Sequence, residues 1–80
     1  MTCAEKLDFI SNMILNGLKE LNMTQSDLAR KMNVHQPSVS QCIRKRNLPS
    51  NYNIYQLCEI FNLDFDEIIR KLNLERRTNL

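Results

Sequence analysis

Glycine is almost missing from this chain: one residue in 80, beside two prolines and no tryptophan. That scarcity leaves no glycine-rich loop to cradle a phosphate, and it argues against a disordered or β-rich chain. The three cysteines, Cys3, Cys42 and Cys58, are odd in number and show no paired spacing, so no disulfide framework is indicated. Cys42 and Cys58 fall on helical apolar faces and fit buried, reduced thiols of a cytosolic protein. Zinc would need a fourth ligand, and His35 is the only histidine, so neither a metal nor another cofactor is expected. No apolar run is long enough for a secretion signal or a membrane span, so a cytoplasmic protein without membrane contact is expected. Catalysis is not expected either. No nucleophile has a plausible base, and the crowded carboxylates Asp64, Asp66 and Glu67 are better explained by helix capping and a solvated face.

What is present is apolar periodicity and an uneven charge. Eighty residues, 42% of them hydrophobic, suit one small domain over 1–80. Such a domain buries only about 60% of its unfolded surface, so modest stability is expected. The net charge of +2 conceals alternating blocks. Residues 1–22 carry −1. Residues 23–48 carry +4, from Arg30, Lys31, Arg44, Lys45 and Arg46 against Asp27. Residues 49–69 carry −4, from Glu59, Asp64, Asp66 and Glu67, and residues 70–80 carry +3. A basic block suits phosphate binding, though charge alone does not separate that from a solvated basic face. Ten asparagines suggest an AT-rich coding sequence and nothing more.

Five helices follow from spacing. In residues 4–21, Leu7, Ile10, Ile14, Leu18 and Leu21 recur at three and four, with Gly17 placed for close helix approach. Phe9 and Leu15 widen that face beyond what the domain's own core needs. Asn22 stops the helix in a left-handed conformation and Met23 enters the core. Thr24 with Asp27 makes an approximate capping box for a second helix, whose inward residues are Leu28, Ala29 and Met32. Asn33 is a left-handed stop and Val34 the apolar plug of the turn. Gln36 opens a third helix with Pro37 in its first turn, where a missing N–H costs nothing. Its inward face is Val39, Cys42 and Ile43. Pro49 forbids a continuous helix. Ser50 or Asn51 then caps a helix over about 51–61, with Ile54, Leu57, Cys58 and Phe61 inward. Asp64 with Glu67, another approximate capping box, opens the last helix, through about Leu72, on Phe65, Ile68, Ile69 and Leu72. Residues 73–80 lack a period. They are read as a tail outside a core of about 4–72, where Leu74 and Leu80 dock on a partner or the end frays.

Residues 24–46, TQSDLARKMNVHQPSVSQCIRKR, resemble the helix-turn-helix of the phage repressor and Cro family. Gln25, Leu28, Ala29, Asn33, Val34 and Val39, followed by Ser40, stand at six of that pattern's positions in register. The resemblance extends over roughly residues 10–72. It implies an all-α, compact five-helix bundle with a central helix-turn-helix, as in the lambda-repressor-like DNA-binding domain. The family often has Glu near Ile43 and Gly near Lys45, and this chain departs at both.

The resemblance also implies which residues meet DNA. The third helix would read bases in the major groove through Gln36, Pro37, Ser38 and Gln41, since glutamine can pair bidentately with adenine. Pro37 has no side-chain hydrogen bond to offer and would touch a thymine methyl or stiffen the helix start. Phosphates would be held by Thr24 and Gln25, by Ser40, and by Arg44, Lys45 and Arg46. His35 reads as an exposed turn residue that would add a phosphate contact when protonated. The implied protein is a sequence-specific transcriptional regulator, a phage or prophage repressor or Cro-like switch. It would act as a homodimer on a near-palindromic operator in double-stranded DNA, in a bacterial nucleoid or a phage-infected cytoplasm. The dimer surface is expected on the spare apolar surface of helix one, helix five and the tail, and regulation is expected from concentration, proteolysis or a protein partner. The alternative is an antitoxin or protein-interaction module of the same fold.

Overall fold

A computed structural model describes residues 1–73 and contains five helices among them: α1 (Cys3–Leu21), α2 (Gln25–Met32), α3 (Gln36–Ile43), α4 (Asn51–Phe61) and α5 (Phe65–Leu72). The expected tail contacts of Leu74 and Leu80 lie outside the described residues.

The helix starts are built by side-chain capping. Thr2 and Glu5 form a complete capping box on α1, and Thr24 and Asp27 form another on α2. The hydrogen bonds to Thr24 hold the Asp27 carboxyl below its ordinary pKa, and those to Thr2 do the same for Glu5. Ser50 caps α4 by accepting from the Asn53 N–H. Asp64 caps α5 alone, accepting from the Asp66 and Glu67 N–H groups at 3.0 and 3.4 Å. The expected reciprocal half from Glu67 is not made.

Four helices end in one way. Asn22, Asn33 and Asn62 have φ of 55°, 59° and 59°, and the following N–H bonds back five residues: Met23 to Leu18 O, Val34 to Ala29 O, Leu63 to Cys58 O. Residue 45 does the same at the end of α3, with φ 65° and Arg46 N–H on Gln41 O at 2.9 Å, but it is a lysine. A Cβ disfavours this conformation, and asparagine tolerates it best after glycine. Three of the ten asparagines are therefore helix stops.

Helix α3 packs against α2 and α1, while α4 packs against α2, α5 and α1. Ile10, Ile14, Leu28, Leu57 and Cys58 are fully enclosed at the centre. Gly17 faces the Phe61 ring so closely that a Cβ there would sit 2.5 Å from it. Among the described residues one polar residue is buried: Ser11, which donates to the Ile43 carbonyl at 2.7 Å and ties α1 to the end of α3. The Gln56 side chain donates to the Met32 carbonyl at 3.2 Å and ties α4 to the end of α2.

Two expectations need correction. Leu21 is 48% exposed and not in the core stripe, because α1 ends there and Met23 turns inward in its place. The spare apolar surface is not on α5, whose Phe65 and Ile69 are half-buried against the core. It lies on α1 (Leu15, Leu21), on the α3–α4 loop (Leu48), on α4 (Tyr52, Tyr55) and at Leu63.

Candidate nucleic-acid interface

The third helix is fastened from below and open above. Val39 and Cys42 are buried, Ile43 and Ser40 are half-buried, and Gln36, Pro37, Ser38, Gln41 and Arg44 are exposed. Burial pushes the Cys42 thiol pKa up, so this cysteine stays a neutral apolar anchor. Spacing of about four residues per turn puts Gln36, Ser40 and Arg44 in one row, with Pro37 and Gln41 in the next. These five line one shallow depression. Ser38 lies on the flank, sharing with Gln41 and Asn47 the mouth of a cleft under the α3–α4 loop. All four expected base readers are thus on the open side of α3. His35 is exposed at the N-cap of α3 and makes no side-chain cap bond.

Sequence reasoning missed what holds the two glutamines. Ser26 Oγ donates to Gln36 Oε1 at 2.9 Å. Asn47 Nδ2 donates to Gln41 Oε1. Neither partner shows a period or motif in the sequence. Asn47 comes back over Gln41 only because the chain turns at Lys45.

The residues expected on phosphate divide. Arg44 and Arg46 are exposed at the end of α3. Lys45 turns toward α1 and pairs with Asp8 at 2.5 Å, both groups being about half exposed. The Thr24 N–H is engaged by the Asp27 carboxylate at 3.1 Å, and the Asp27 N–H by Thr24 Oγ1 at 3.0 Å. That leaves the Gln25 and Ser26 amides as the open donors of this helix turn. Arg30, three residues beyond Asp27, forms an exposed pair with it at 3.3 Å.

Among the described residues no helix is long and apolar enough to cross a membrane. A sequence model of the helix-turn-helix family matches residues 14–68, from within α1 to within α5. No curated protein and no solved structure matches the chain.

Proposed function

The chain belongs to the helix-turn-helix family of Cro and lambda repressor, a family of DNA-binding transcriptional regulators, and on that premise we propose that it is a repressor or Cro-like switch binding a near-palindromic operator as a homodimer. The observation that carries the proposal is the polarity of α3. Its apolar residues Val39 and Cys42 are buried, and every side chain it exposes near its start is one that can meet a base edge. Gln36 and Gln41 are the principal readers, Ser38 contacts a base or phosphate, and Pro37 meets a thymine methyl or stiffens the start. Arg44 and Arg46 hold the backbone, with Ser40, the Gln25 amide and the Thr24 hydroxyl at the edges, the Thr24 amide being taken by Asp27. Lys45 divides its charge between Asp8 and DNA.

One such module buries roughly 600–1,000 Å² of its own surface on DNA, too little for tight operator binding by itself. Two copies on half-sites about one helical turn apart supply the rest. The exposed apolar residues of α1, the α3–α4 loop and α4 are the surface available for pairing.

A second reading has its own observation. Tyr52 is 67% exposed, with Tyr55 and Leu63 also open, and Glu59, Asp64, Asp66 and Glu67 lie on the same two helices and their connection. Exposed apolar side chains with acidic ones on the same elements suit a basic protein partner, as in an antitoxin.

Selection of sites from random duplex DNA tests both. Recovery of a short near-palindrome, lost by the Gln36→Ala/Gln41→Ala variant, supports the repressor reading. Recovery of no motif, with only salt-sensitive retention, replaces it with the protein-partner reading.

A further inference from the structure

We propose that Asn47 is a positioning residue that fixes which end of the Gln41 side-chain amide is presented to DNA, so that Gln41 acts as a hydrogen-bond donor. This rests on the reading of α3 as the groove-entering helix. A glutamine amide carries an acceptor oxygen and a donor nitrogen on one rotatable plane. Free in solvent, it turns over and offers either end.

Gln41 is not free. The left-handed turn at Lys45 and the Arg46 N–H bond to the Gln41 carbonyl, at 2.9 Å, fold the loop back along the last turn of α3. Asn47 then donates through Nδ2 to Gln41 Oε1. One of the two lone pairs on that oxygen is occupied, and both Nε2 hydrogens remain available. The exposed group is therefore donor first.

In the major groove the purines offer N7, guanine adds O6 and thymine offers O4, all acceptors. Cytosine offers only its N4 donor. Gln41 held in this way favours adenine, guanine or thymine at the base it meets and disfavours cytosine. Asn47 shapes that preference without touching the base.

The test uses the full chain and a panel of four duplexes. The panel varies the base pair whose preference is lost in Gln41→Ala, at one fixed salt concentration. The wild type is expected to bind worst the duplex that places cytosine, and not its paired guanine, at the base Gln41 meets. Asn47→Ala frees the amide, and the discrimination against cytosine should fall by about fivefold or more, within the span that base contacts cover. Asn47→Asp puts an acceptor where the donor was. The Gln41 amide then turns to donate to the new carboxylate and presents Oε1 outward. Cytosine, with its N4 donor, should now be preferred over thymine. Added negative charge lowers all four affinities together and leaves their ratios to report the orientation. A residue that only supported the loop would weaken all four without reordering them.

An unchanged order in Asn47→Asp overturns the donor-first orientation. An effect of Asn47→Ala that persists in the Gln41→Ala background makes Asn47 a reader itself and overturns the positioning role. If Gln41→Ala loses no preference at any base pair, the underlying assignment of Gln41 fails, and this inference fails with it. Asn47 is exposed, and matching thermal unfolding of the variants shows that the folds compared are the same.

Discussion

At the residue scale, Lys45 is the position where local preference and function pull apart. Its φ of 65° is the conformation that asparagine takes at the ends of α1, α2 and α4. A residue with a Cβ gives up roughly 1–2 kcal/mol there. Glycine avoids that cost but loses roughly 0.5–1 kcal/mol more entropy on folding. The Asp8 pair is exposed and contributes at most about 1 kcal/mol. Lys45→Gly should therefore gain up to about 1 kcal/mol in urea unfolding, since relief of the strained backbone slightly exceeds the other two effects. A loss of that size would mean that the Asp8 pair holds the loop. The same variant should lower the salt dependence of DNA binding less than Arg44→Ala does, because the Lys45 ammonium already has a partner. The chain thus makes at Lys45, with a side chain in place, the left-handed turn that glycine makes most easily.

At the element scale, the α1–α4 crossing depends on one missing side chain. Gly17 lies against the Phe61 ring, with Cδ1 and Cε1 at 2.5 Å and Cγ at 2.7 Å from where a Cβ would be. Cγ is tied close to the backbone and cannot swing aside cheaply. Gly17→Ala adds roughly 1 kcal/mol of helix propensity but brings an overpacking cost of about 1–3 kcal/mol. A net loss of about 1 kcal/mol is expected in chemical unfolding. In a Phe61→Ala background the clash is gone, and the same change should stabilise. Additivity of the two substitutions would show that they do not meet. Gly17 was legible in the sequence as a point of close approach because small size in a helical stripe has one common use, but its partner was not. The caps at Thr24 and Ser50, the stops at Asn22 and Asn33 and the inward Val39 and Cys42 were legible too, since each depends on neighbours three or four residues away. Ser11, Ser26 and Asn47 were not. Their bonds reach residues 32, 10 and 6 positions along the chain, and what pairs them is the way α1, α2 and the α3–α4 loop pack on α3.

At the scale of the whole molecule, the charge blocks become a way of counting copies on DNA. Arg44 is exposed at the C-cap of α3, beyond the glutamines and without an acidic partner among the described residues. A phosphate-holding arginine weakens every sequence alike when it is removed, and it takes roughly 0.9 off the slope of log K against log salt for each phosphate released. A monomer on its half-site loses one such contact in Arg44→Ala. A homodimer on a palindrome loses two, so the slope should change by about 1.8 on the full operator and by about half that on an isolated half-site. Affinities of wild type and Arg44→Ala, measured on both duplexes across a salt series, read this directly. A change near 0.9 on both duplexes would mean that the chain binds as a monomer and that Tyr52, Tyr55 and Leu48 face something other than a second copy. A loss confined to one operator sequence would instead make Arg44 a base reader, since a phosphate contact is blind to sequence.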